Sequence, residues 1–263
     1  MKKKVLSLCL VVALVATAVI GGTLAYFTDT DKATNTFTAG GVKIDLIEQQ
    51  VNEEGTALED FKQDQVLMPI VGSAQGEKDK FGQPVAENYI DKIVTVENTG
   101  KSDAYVRAYF AIPSALDDGY ENFNAGLNIL HFNFGNEKGV STEGVQWKWT
   151  HDGKWNYFET TIDNVAYNVY FADYYQPLAA GKTTEQFISG VYLDKDVNMN
   201  AQGEYTITRN GGTTVINKFD GSAKCPVYAV AVQKEGFDSV AAAVDAAFGA
   251  NFNPFGGEAK NWQ

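Results

Sequence analysis

Apolar and polar residues alternate with a period of two through most of the chain, the pattern of strands with one buried face. Val106, Ala108, Phe110 and Ile112 fall on one side of a strand, and Tyr105, Arg107 and Tyr109 on the other. A strand over 89–97 precedes it, joined through Asn98-Thr99-Gly100-Lys101-Ser102-Asp103, residues suited to a tight connection. Further strands are read at 42–48, 146–150, 154–160, 166–171, 185–193, 204–208, 213–219 and 226–234. Asp152-Gly153 and Asn210-Gly211-Gly212 tolerate positive φ at both turn positions and mark two hairpins. Many short strands without alternating long helices imply an all-β fold, an antiparallel β-sandwich closed over one core.

One helix breaks the pattern. Asp238 or Ser239 caps it, Val240, Val244, Ala247 and Phe248 share a face, and Gly249 ends it. Its narrow, Ala-rich face suits a sheet edge or a sandwich end. The Asn- and Gly-rich stretch 114–134 reads as a long surface excursion, and 251–263 as an extended strap.

The N-terminus carries a different pattern. Lys2, Lys3 and Lys4 precede an uncharged run over 5–20, closed by Gly21-Gly22-Thr23-Leu24-Ala25. This is the form of a signal peptide, with Thr23 and Ala25 at positions −3 and −1 and Tyr26 as the new N-terminus. The run is also long enough to serve as an uncleaved anchor. Removing the leader leaves 18 basic against 33 acidic residues, a net charge of −15. Such a charge argues against nucleic acid and anionic lipid as partners, and makes self-association easier in salt or at low pH. Cys9 leaves with the leader and Cys225 stays alone, so no internal disulfide forms in the exported chain. Stability must then come from a core, which 16 Phe, 13 Tyr and 4 Trp can supply. Cys225 reads as a small core residue.

Beyond the junction run Gly22-Thr23-Leu24-Ala25-Tyr26-Phe27-Thr28-Asp29-Thr30-Asp31, then Ala33-Thr34-Asn35-Thr36-Phe37-Thr38-Ala39-Gly40, then Val42-Lys43-Ile44-Asp45-Leu46. This text resembles the leader and mature start of the TasA/camelysin family, exported bacterial proteins cleaved by a SipW-type signal peptidase. The resemblance is strong over 2–46 and looser over 93–112, where Val96-x-Asn98-Thr99-Gly100 leads into Ala104-Tyr105-Val106-Arg107. It implies a sandwich of jelly-roll type, secretion to the extracellular matrix or cell surface, and subunits of biofilm matrix fibres. Camelysin-type relatives also carry a metallo-endopeptidase label. That label needs a ligand set, and His131 and His151 neither pair at helical spacing nor begin a His-Glu-x-x-His motif. No Gly-x-Ser-x-Gly elbow is present either, so the chain reads as having no enzyme activity and needing no cofactor.

Three patterns carry candidate chemistry. Asp194, Asp196 and Asn198 space oxygen ligands as a calcium loop does, but position six is Met199 rather than Gly and position twelve is Tyr205 rather than Glu. The bland alternative is an acidic turn. Trp147, Trp149 and Trp155 line a hairpin that contacts glycans if exposed and fills the core if buried. The segment from Tyr26 to Leu46 starts at an end created by cleavage. It can donate a strand to a neighbour's sheet, with Tyr26, Phe27, Phe37 and Val42 setting the register, or fold back as the domain's own first strand.

The expected organisation is a signal peptide over 1–25, a donor segment over 26–46 and one jelly-roll domain over 47–263. The expected function is a secreted fibre subunit, with further copies of itself, the SipW-type peptidase and matrix polysaccharide as partners. A monomeric glycan-binding surface domain is the alternative, and a camelysin-like protease the third reading.

Overall fold

The computed structural model describes residues 28–32, 35–36, 41–117, 128–134, 147–151, 154–155, 157–217 and 219–256. The first sheet runs in the order β11 (Tyr157–Ile162), β12 (Val165–Tyr174), β6 (Ala104–Pro113), β17 (Val227–Gln233), β1 (Thr28–Lys32), β2 (Asn35–Thr36), with β8 (Trp147–Lys148) also on β12. The second runs β4 (Leu58–Asp60), β3 (Ile44–Val51), β5 (Ile90–Asn98), β13 (Ile188–Leu193), β7 (Leu130–Phe134). Their paired strands are antiparallel, and the inner faces close over one core, so the fold is an all-β sandwich. The chain changes sheet between β2 and β3, β5 and β6, β6 and β7, β7 and β8, and β12 and β13, and returns to the first sheet at β17, so each sheet is built from distant segments. Two smaller pieces complete the described strands. A hairpin joins β9 (Thr150–His151) to β10 (Lys154–Trp155), and a three-stranded arm joins β14 (Val197–Met199), β15 (Tyr205–Arg209) and β16 (Gly212–Val215).

Strand β6 shows why alternation was so legible there. Val106, Ala108, Phe110 and Ile112 face the other sheet, while Tyr105, Tyr109 and Ala111 belong to a second apolar cluster on the outer face. All ten residues of β6 are buried, because the outer face is covered as well. The cover is α1 (Val240–Phe248), which inserts Val240, Ala243 and Val244, followed by Phe252 and Phe255. The Ser239 hydroxyl accepts from the Ala242 N–H and Gly249 closes the helix, as its sequence predicts. The predicted packing is corrected: α1 lies on the outer face of the first sheet, where Tyr109, Phe171 and Val230 offer an apolar bed, rather than on an edge.

Other expectations are also revised. The stretch read as a surface excursion contains β7, and Leu116, Ile129 and Leu130 are 2–3% exposed, so its described parts belong to the core. The strand expected over 213–219 stops at Val215, after which Ile216 and Phe219 turn into the core. The acidic stretch after Asp194 carries β14, whose Val197 is buried. The domain boundary drawn after Leu46 falls inside β3. Ile44 is wholly buried and β3 pairs with β5 from Ile44 onward, so the sandwich begins earlier than that boundary. The hairpin at Asn210-Gly211 forms as read, with φ of 52° and 78° and Arg209 opposite Gly212.

Candidate functional site

The first described strand sits beside the last. β1 pairs antiparallel with β17 in a five-residue register, from Thr28 opposite Val232 to Lys32 opposite Tyr228, and then doubles back on β2. β17 pairs on its other side with β6. Without β1, therefore, the second edge of β17 would present unpaired backbone groups flanked by apolar residues. Ala229 and Ala231 face the inner core, Val230 and Val232 the outer cluster, and all four are 0–1% exposed. The slot has a defined pleat, and it fixes which face of an incoming strand turns inward.

The chain is gripped immediately after this segment. The Gly41 carbonyl accepts from the N–H groups of Lys101 (2.7 Å) and Ser102 (3.1 Å), and the Gly100 N–H donates to the Lys43 carbonyl (3.0 Å). The approach is so close that a Cβ on Gly100 would lie 2.6 Å from both Gly41 O and Lys43 N. Gly41 itself has φ of +102°, a conformation glycine adopts without strain. The N-terminal hairpin is thus tethered upstream of a fixed point on the sandwich.

Of the residues expected to form the donor strand, Val42 is wholly buried in the chain's own core. This is a correction: its alternation with Ile44 points it between the sheets, so it cannot set register in a neighbour. Tyr26, Phe27 and Phe37 lie outside the described residues, as do Thr23 and Ala25 at the cleavage site.

The glycan platform is corrected for two of its three tryptophans. Trp147 is 1% and Trp149 5% exposed. The Trp147 indole N–H donates to the Glu185 carbonyl at 3.0 Å, and Trp149 stacks on Phe187 with ring centroids 4.6 Å apart. Neither can meet a sugar ring. Trp155 is described as a strand residue opposite Thr150.

The calcium-loop candidate is likewise overturned. The Asp194 carboxylate is bonded to His131 Nε2 at 2.9 Å and accepts from the Arg209 guanidinium, while its other oxygen accepts from the Asp196 N–H at 2.8 Å. Burial pushes the Asp194 carboxyl up, but the bonds from His131 and the Asp196 N–H and the Arg209 charge hold it below the usual carboxylate range. An arginine on the carboxylate takes the place a cation would need. The Asn198 Oδ1 accepts from the Met199 N–H, on a strand paired to β15. These groups clamp the three-stranded arm to the second sheet and do not fit a divalent ion. Among the described residues no group of three or more His, Cys, Asp or Glu is placed to hold a metal.

Sequence reasoning missed two features. One is the ladder between β1 and β17, because pairing partners leave no mark in a single strand. The other is a charged pair inside the sandwich, Lys92 with Glu48, whose Nζ and Oε2 are 2.9 Å apart. Lys92 follows the inward alternation of Ile90 and Val94, which was the available signal.

No curated protein and no solved structure matches the chain. Residues 1–57, about a fifth of the chain, match the family model described as camelysin metallo-endopeptidase, and this is the region whose text resembles the TasA/camelysin family.

Proposed function

We propose that the protein is a secreted structural subunit of an extracellular matrix fibre, polymerising by exchange of its N-terminal strand between copies. The observation that supports this reading is the β1–β17 ladder. It is formed by a terminal segment tethered upstream of Gly41, so a neighbour's β1 can take the same slot with the same main-chain bonds. Closed and exchanged forms then have nearly equal ladder energies, and concentration and tether length decide between them. Successive head-to-tail exchange does not close on itself and yields a filament. In this account a SipW-type peptidase frees Tyr26, the chain acts outside the cell, matrix polysaccharide is a neighbour, and the protein catalyses no reaction.

Deleting 26–40 is the test. The account predicts a folded domain that no longer elongates by itself and is capped by a synthetic peptide of the same residues. Polymer formation by the deleted chain at the parent rate would overturn strand exchange.

A further inference from the structure

A cavity of about 720 Å³ opens at one end of the sandwich, where the loops 61–67 and 219–226 meet. The Leu67 N–H donates to the Gly221 carbonyl at 3.3 Å and joins the two loops. Its apolar wall is supplied by Leu67, Ile90, Leu130, Val191 and Val227, drawn from both sheets and from one of the loops. The volume lies within the range of small-molecule sites, which are mostly apolar with a few placed polar groups.

The placed polar groups here are Glu48 and Lys92, which line the same cavity. Their side chains are 14% and 6% exposed, and Lys92 Nζ also lies 4.3 Å from the centre of the Phe61 ring. An ammonium has three donors and a carboxylate two acceptor oxygens, so the one bond they share leaves capacity on both. Buried polar capacity of this kind asks for a partner that both accepts and donates, which a hydroxyl does. Charge narrows the class further. The pair is neutral as a unit, and Asp64, Asp220 and Lys224 at the cavity leave a net negative rim, which disfavours a carboxylate or phosphate head. A cationic head gains from the rim but offers nothing to Lys92.

We propose that this cavity binds a single-chain amphiphile with an uncharged, hydroxyl-bearing head, its tail against the inter-sheet wall and its hydroxyls on Lys92 and Glu48. The site is separate from the β1 slot and does not depend on strand exchange.

Cys225 lines the cavity and serves as a reporter in the unaltered chain. Burial pushes its thiol up to about 12, so alkylation is slow and follows access. The experiment measures alkylation of the Cys225 peptide by mass spectrometry with monododecanoylglycerol, dodecanoate or dodecylammonium, each below its micelle concentration. At about ten times its dissociation constant, the monoglyceride is expected to slow alkylation roughly tenfold. The two charged amphiphiles are expected to protect far less at equal concentration. Replacing the pair together, Lys92→Met with Glu48→Leu, should abolish the preference for the monoglyceride while leaving binding of the headless fluorophore N-phenyl-1-naphthylamine unchanged. Absence of protection by any of the three would overturn the site, and equal protection by all three would overturn the assigned head group.

Discussion

The buried ion pair between Arg107 and Asp173 offers a quantitative test of how the sheet that receives β1 is held together. Arg107 lies on β6 with Asp173 opposite on β12 and Val230 opposite on β17, so the pair sits at the middle of the first sheet. The guanidinium Nε donates to Asp173 Oδ1 at 2.5 Å and Nη2 to Oδ2 at 3.0 Å, a two-pronged contact with both side chains 6–7% exposed. Phe171 lies 4.5 Å below the guanidinium carbon. Burial pushes the Arg107 pKa down, but the bonds and charge of Asp173 more than offset this, so it stays charged wherever the chain is folded. Two charges ~4 Å apart at an effective dielectric of ~20 attract by about 4 kcal/mol. Removing one partner strands the other in a dry layer, at a cost of about 3–5 kcal/mol. Replacing both with apolar residues of similar volume removes attraction and desolvation together, and should cost about 1 kcal/mol or less. The experiment is a double-substitution cycle of Arg107→Met and Asp173→Leu, each chain unfolded in urea and followed by the fluorescence of Trp147 and Trp149, both buried in the core. If the double variant loses as much as the two singles added together, the pair is not coupled and the reasoning fails.

Two further outcomes follow from local geometry. A Cβ on Gly190 would lie 2.5 Å from two carbons of the Tyr89 ring and would also clash with its hydroxyl. Gly190→Ala should therefore lower stability by about 1–3 kcal/mol in the parent chain and by much less in a chain that already carries Tyr89→Ala, as measured by thermal unfolding. Burial pushes the Asp91 carboxyl up from 3.8 to about 6, against a bond from the Val51 N–H and helped by the nearby Asp79 charge. The folded chain thus holds this proton more tightly than the unfolded one. Its contribution is full below about pH 4 and is lost as pH rises through about 6, a fall of about 1–2 kcal/mol after allowing for partial exposure. Asp91→Asn should flatten that slope, and an unchanged slope would show that another group carries it.

The elements that could be read from sequence are those whose local chemistry and tertiary setting agree. β6 announces itself because both of its faces are apolar, and α1 because Ser239 and Gly249 cap it. β7 did not, because the Asn- and Gly-rich text before it reads as a loop and hides the alternation of Leu130, Phe132 and Phe134 with His131 and Asn133. Both are satisfied only by distant partners, His131 by Asp194 and Asn133 by donating to the Ala74 carbonyl and the Tyr89 hydroxyl. Short strands such as β14, set in acidic text, depend on the neighbour that pairs with them. The tryptophan pair could not be placed because an exposed and a buried face share one spacing, and only the opposing sheet decides. The same limit hid the pairing of β1 with β17: which strands lie side by side is a property of the sheet and not of either strand's residues.

The most direct measurement of strand exchange traps the ladder covalently. Asp29 stands opposite Ala231, so a chain carrying Asp29→Cys and Ala231→Cys, with Cys9 and Cys225 changed to Ala, has one cysteine on each side of the slot. Chains oxidised as monomers should form the loop internally and then fail to polymerise. Chains oxidised after polymerisation should run as a ladder of disulfide-linked multimers that collapses to one band on reduction. A polymer that yields internally closed chains alone would show that each subunit keeps its own first strand, and would contradict the account.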